Sequence, residues 1–288
     1  YYFSKSFQKV IHCEITKNIS EIAAYNFNQL NILNIETISE NGLEYLKKST
    51  EIFDVIYIDP SRRNDVKEKV FLLKDCEPNI PENIDLLFKK TKTILLKNSP
   101  ILDITSAINE LKFVKEIHVV AINNDVKELL YILEKGYCKE ILIKTINFTK
   151  KSAQKFHFNY HKQPVSSYQE PLEYLYEPNA AVLKSGAFHE ISTQLNIFKL
   201  HQHSHLYTSK KRIEFPGREF KIVAVLPYNK KQILKLLPNK KANITIRNFH
   251  KTVAQIRKEL KIKDGGDSFL FFTTNIHNKF ICMYCKKL

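Results

Sequence analysis

The chain has 288 residues, 43% of them apolar, and a net charge of +15, enough for one large domain or two ordinary ones with real cores. No run approaches the ~20 apolar residues of a membrane span, and no secretory signal opens the chain. Five scattered cysteines, an odd number, exclude a disulfide framework and fit a reducing, cytoplasmic compartment.

Short apolar strands alternate with amphipathic helices from the start. KVIHCEI (9–15) reads as a strand, SEIAAYNFNQL (20–30) as a helix, IETIS (35–39) as a strand and GLEYLKKS (42–49) as a helix. FDVIYI (53–58) and TKTILLKNS (91–99) read as strands, LDITSAINEL (102–111) as a helix and KEIHVVAI (115–122) as a strand. The spacing predicts a helix over VKELLYILEKG (126–136), then a hairpin of KEILIKTINF (139–148) with QKFHFNYH (154–161). That order predicts a mostly parallel α/β sheet. KQPVSSYQEP (162–171), with two prolines and no periodicity, is the linker candidate, dividing a domain over 1–163 from one over 164–288. A helix is predicted over 177–195, followed by a His-rich loop. The segments 220–226, 229–237, 243–249, 251–260, 267–273 and 279–285 then read as βαβαββ, a small ferredoxin-like α+β sheet.

In open α/β sheets ligands bind at the carboxyl ends of the strands. Three strands here end on useful groups: Glu14 for ribose hydroxyls, Asn41 for an adenine edge, and the stretch IDPSRR, where an apolar strand stops on Asp59-Pro60. Residues 9–163 resemble class I S-adenosylmethionine-dependent methyltransferases. KVIHCEI resembles their second strand, ISENGLEYL their third-strand motif, and IDPSRR the corner that faces the methyl group. LKNSPILDI, YLYEPNAAVLKSGAF, HLYTS and FPGREF resemble a group of bacterial methyltransferases with a C-terminal THUMP-like, ferredoxin-like domain.

The resemblance implies S-adenosylmethionine as cofactor, bound by Glu14, Ile15, Asn41, Gly42 and Asp59, and catalysis by Asp59, Pro60, Ser61 and Arg62. Amine-methylating relatives usually place an aromatic where Arg62 stands. A guanidinium there can stack on a base or grip a phosphate, or simply pair with a local carboxylate such as Asp65. Uracil-C5 chemistry needs a thiol near Lys97-Asn98-Ser99-Pro100, and none is present, so transfer to nitrogen or oxygen remains. No glycine-rich cofactor loop occurs before the first strand or elsewhere among only six glycines, and the chain opens on Tyr1-Tyr2. The expectation is therefore a Rossmann-like sheet lacking its first strand, from an N-terminally truncated enzyme that binds the cofactor weakly or not at all. A degenerate, non-catalytic homologue is the alternative.

Charge separates the two parts. Residues 1–160 hold 23 Lys and Arg against 21 Asp and Glu, while residues 161–288 hold 22 against 9. A Lys-rich genome would raise both alike, so the second part is expected to meet a polyanion, with RNA preferred over an acidic protein or a membrane surface. Arg63, Lys210, Lys211, Arg212, Arg218 and Arg247 are the candidate RNA contacts. His201, His203 and His205 lack an acidic or thiol partner nearby, so no metal is expected, and Cys282 and Cys285 read as packing residues on opposite faces of a strand. The sequence reads as an RNA methyltransferase. A non-catalytic RNA-binding protein, or a methyltransferase of protein or small molecules, remains open, as does the oligomeric state.

Overall fold

The computed structural model describes residues 1–62, 72–160 and 164–288. These form two compact units: Tyr1–Val114 with Tyr131–Cys138, and Lys115–Leu130 with Lys139–Leu288. Part of the expected linker and Arg63 lie outside the described residues.

The first unit runs β1 (Val10–Cys13), α1 (Lys17–Gln29), β2 (Ile35–Ile38), α2 (Gly42–Lys48), β3 (Ile56–Ile58), β4 (Ser61–Arg62), β5 (Cys76–Glu77), α3 (Ile80–Lys90), β6 (Thr93–Asn98) and α4 (Ile104–Glu110). β1 and β2 are parallel and, among the described residues, bond only to each other. β3 lies parallel to β6, with Ile58 opposite Leu96. α3 was not anticipated. Asn79 caps it, and Ile80, Ile84, Leu87 and Phe88 fall at helical spacing on one buried stripe. On β6 the alternation buries Ile94, Leu96 and Asn98. α1 buries only Ser20 and leaves Ile19, Ile22 and Tyr25 exposed. Ser20 therefore lies inside the helix, whose N-cap is Thr16.

β7 (Val114–Ile122) leads to β8 (Asp125–Glu134), which corrects the helix expected over 126–136. Val126, Leu129, Leu130 and Leu133 do satisfy helical spacing, but Leu129, Tyr131 and Leu133 also alternate, and it is these three that are fully buried. The preceding turn decides between the two periods. Asn123 and Asn124 both adopt left-handed backbone, φ 51° and 65°, the requirement of a tight two-residue hairpin. β9 (Leu142–Phe148) runs parallel to β7, and β10 (Ala153–Asn159) returns antiparallel along β9, the expected hairpin.

The rest of the second unit builds a seven-stranded sheet in the order β12-β13-β11-β14-β17-β16-β15. Its elements are β11 (Tyr174–Pro178), α5 (Ala180–Ser185), α6 (Glu190–Gln194), β12 (Phe198–Lys199), β13 (Tyr207–Ser209), β14 (Gly217–Pro227), α7 (Lys230–Lys235), β15 (Asn243–Arg247), α8 (Val253–Leu260), β16 (Phe269–Thr274) and β17 (Phe280–Lys287). The last six reproduce the expected βαβαββ order. The single helix expected over 177–195 is instead the end of β11 and two short helices. Pro178 disfavours helix at Glu177, and Gly186 at φ 76° ends α5 after six residues. One apolar cluster joins α7 and α8 to the sheet through Ile233, Ile256, Leu260, Phe272 and Cys282, while Leu175, Phe220, Phe271, Met283 and Cys285 form another. Cys282 and Cys285 thus serve two separate cores, and burial pushes both thiols well above the usual range.

Candidate functional site

Each of the three strand ends singled out in the sequence carries a side chain with a defined local duty. Glu14 follows β1. Its Oε1 accepts the Thr16 N–H at 2.7 Å and so closes the turn into α1, which leaves Oε2 for a ligand. Ile15 beside it is 68% exposed. Asn41 caps α2, its Oδ1 accepting the N–H groups of Leu43 at 2.9 Å and Glu44 at 3.4 Å. Only its Nδ2 remains for an adenine edge. A Cβ on Gly42 would meet Cys13 at an ordinary 3.6 Å, so space alone does not require the glycine.

Asp59 follows β3 directly. Its Oδ2 lies 2.6 Å from Lys97 Nζ on the neighbouring β6, and the carboxylate side chain is 49% exposed. Pro60 then turns the chain into the two-residue ladder of β4 with β5, where Ser61 Oγ donates to the Glu77 carbonyl at 3.3 Å. The backbone of Arg62 continues that ladder opposite Cys76.

Asn98, at the end of β6, was not singled out in the sequence. It is only 3% exposed, yet among the described residues neither its Oδ1 nor its Nδ2 has a hydrogen-bond partner. An unpaired buried polar group costs about 1–3 kcal/mol, so this amide, two residues past the β3–β6 register, is a group a ligand could satisfy. The signal was present in the alternation of TILLKN, which puts Asn98 on the same buried face as Ile94 and Leu96.

In the second unit the candidate basic residues divide by environment. Glu177 has a side chain only 4% exposed and is gripped by two guanidiniums: Arg218, whose Nε donates at 2.6 Å and whose terminal nitrogen also reaches it, and Arg247 at 2.8 Å. Arg218 also donates to Thr245 at 3.3 Å. Arg212 pairs with Glu219 at 2.9 Å. Lys210 and Lys211 are exposed at the end of β13. Arg218 and Arg247 are thus committed to a buried carboxylate before any ligand arrives. Gly217 explains part of the FPGREF motif, since a Cβ there would lie 2.1 Å from the Glu177 carbonyl oxygen.

His201 and His205 perform separate tasks. His201 pairs through Nε2 with Asn278 at 3.0 Å, and through Nδ1 with the His203 N–H at 3.1 Å and the Asn248 amide at 3.0 Å. His205 stacks on Phe188 at 3.8 Å. Burial, helped by the charges of Lys199 and Arg247, pushes its imidazole down to about 4. Among the described residues no three His, Cys, Asp or Glu are grouped to hold a metal, and no helix is long and apolar enough to cross a membrane.

This combination of an α/β unit with open strand ends and a ferredoxin-like sheet defines the class, and comparison with known proteins agrees. Residues 174–216 match the model of a ferredoxin-like domain family, and residues 217–287 match a THUMP domain-like family. A solved structure from Porphyromonas gingivalis W83, named "putative methyltransferase", is similar at a TM-score of 0.89 with 30% sequence identity, covering 99% of this chain and 73% of that one. The chain belongs to the same family as that protein. No curated protein matches it.

Proposed function

We propose that the protein is an S-adenosylmethionine-dependent methyltransferase acting on RNA, with its basic part holding the RNA. The observation that carries this reading is the half-exposed Asp59 carboxylate, pinned by Lys97 at 2.6 Å beside Pro60 at the carboxyl end of β3. In the family resemblance this corner faces the transferred methyl group, and the similarity to the Porphyromonas protein spans it.

The residues present fit the nucleoside part of the cofactor. Glu14 has an unengaged carboxylate oxygen suited to ribose hydroxyls, Asn41 has a free amide nitrogen suited to a base, and Asn98 has an orphaned donor and acceptor. When bound, S-adenosylmethionine supplies an electrophilic methyl group. Asp59 and the Pro60 carbonyl accept hydrogen bonds from a target amine or hydroxyl and orient its lone pair, while Lys97 fixes the carboxylate. The 22-to-9 excess of basic residues over 161–288 and the THUMP-like match support RNA as the substrate. None of the five cysteines is in a disulfide, which suits a cytoplasmic location.

Calorimetric titration of S-adenosylmethionine tests the cofactor assignment. The expected result is measurable binding that weakens at least about tenfold in Glu14→Gln, the loss of one charge-assisted hydrogen bond. Binding indifferent to Glu14→Gln would remove the ribose role from that residue. Absence of heat from the full-length protein would remove the cofactor.

A further inference from the structure

We propose that the depression at the carboxyl end of β15 is a nucleobase-binding site that holds one unpaired base of an RNA strand between Arg247 and an exposed aromatic cluster. This rests on the RNA reading above and gives it a location. The depression has a volume of about 460 Å³ and is lined by Ile246, Arg247, Asn248, Phe249, His250 and Phe280. That size falls within the range of small-ligand pockets, and no acidic residue lines it.

The rings form one contiguous cluster. His250 and Phe280 lie with centroids 4.3 Å apart at an interplanar angle of 44°, and Phe249 sits 4.6 Å from His250 and 5.2 Å from Phe280. Phe249 is anchored from behind by Tyr228 at 5.3 Å and by fully buried Phe272 at 5.6 Å. His250 is exposed and Phe280 is 42% exposed, an apolar cost that the fold recovers only if something covers them.

The turn carrying these rings is built in advance. Asn248 holds a left-handed backbone at φ 50°. Its amide pairs with His201 at 3.0 Å, and its carbonyl accepts from Thr274 Oγ1 at 2.6 Å. A base therefore meets rings that are already positioned, so little ordering is required on binding.

Charge selects the occupant. The carboxylate that pairs with the lining residue Arg247 is already neutralised, since Glu177 is held by both Arg218 and Arg247. Lys279 directly precedes Phe280, and Arg247 lies in the lining with its Nε buried and, among the described residues, unpartnered. An aromatic platform inside a domain of strong positive charge fits a polyanion that also presents flat faces. Stacking requires an unstacked base, which single strands, loops and ends offer and duplexes do not.

Fluorescence anisotropy of the full chain tests this with a labelled single-stranded 12-nucleotide RNA and a duplex of the same length, over a salt series at pH 8. The double substitution His250→Ala with Phe280→Ala is expected to weaken single-strand binding by roughly 5- to 150-fold, the loss of one stacked base. Salt slope should stay unchanged, because the substitutions remove rings and not phosphate contacts, and melting temperature should move little, because His250 is exposed and Phe280 is 42% exposed. Phe280→Tyr, which keeps a ring, should retain the affinity. An RNA-binding wild type whose affinity survives the double substitution would overturn the site but leave RNA as the ligand, and so would equal losses for single strand and duplex. A wild type that binds neither RNA at low salt would overturn the RNA reading itself, and with it this site.

Discussion

Glu177 makes two of the basic residues structural before they can be functional. Its carboxylate is nearly sealed from water and depends on Arg218 and Arg247 for charge compensation. Removing one partner leaves a buried carboxylate half-paired, so Arg218→Ala is expected to cost about 2–3 kcal/mol in a denaturant melt, below the roughly 3–5 kcal/mol of a fully buried pair because the guanidinium is itself 40% exposed. Lys210→Ala, at an exposed position, should stay within about 0.5 kcal/mol. Loss of RNA binding in an Arg218 variant would therefore be uninformative without its melting curve. His205, in the loop before β13, sets a pH dependence. Its imidazole, depressed from 6.5 to about 4, stays neutral in the folded chain while an unfolded chain takes up a proton. Its contribution is present in full above pH 6.5 and is lost progressively as pH falls toward 4. The neighbouring positive groups Lys199 and Arg247 oppose protonation in the fold. Melting temperature should thus fall between pH 6.5 and 4 more steeply in wild type than in His205→Asn, a residue that tolerates the left-handed backbone at φ 51° and does not titrate. Equal slopes would show that His205 does not carry the dependence.

The hairpin of β7 and β8 rests on two adjacent asparagines in a conformation that most side chains avoid. Asn123→Val is expected to cost about 1–2 kcal/mol, whereas Asn123→Gly should be near neutral, as read from thermal melts. Asn124 is the poorer test site, since its side chain also accepts the Ala180 N–H at the start of α5. The same hairpin shows where the sequence was ambiguous. Over 126–136 the apolar residues satisfy both periods, and two consecutive asparagines decided the outcome. The β9–β10 hairpin and the βαβαββ order were legible because their alternation and turn signals agree. β11 was not, because YEPNAAVLKSGAF reads as helical once Pro178 and Gly186 are discounted. Of the site, Glu14, Asn41 and Asp59 were legible as polar residues ending apolar strands. Asn98 required the burial pattern of β6, and the pairing of Arg218 and Arg247 with Glu177 joins segments up to 70 residues apart that no local pattern connects.

At the scale of the whole molecule, one unit supplies strand ends suited to a nucleoside and a corner suited to an acceptor atom, and the second supplies a basic, aromatic-bearing sheet. The central claim is that Asp59 positions an atom of RNA for methylation. The most direct measurement is transfer of a labelled methyl group from S-adenosylmethionine to RNA by the full-length protein and by its Asp59→Ala variant. The account predicts label in RNA with the wild type and a loss of roughly a hundredfold or more in the variant, the scale of a misplaced acceptor. Label absent from RNA, or incorporation that persists in Asp59→Ala, would contradict it.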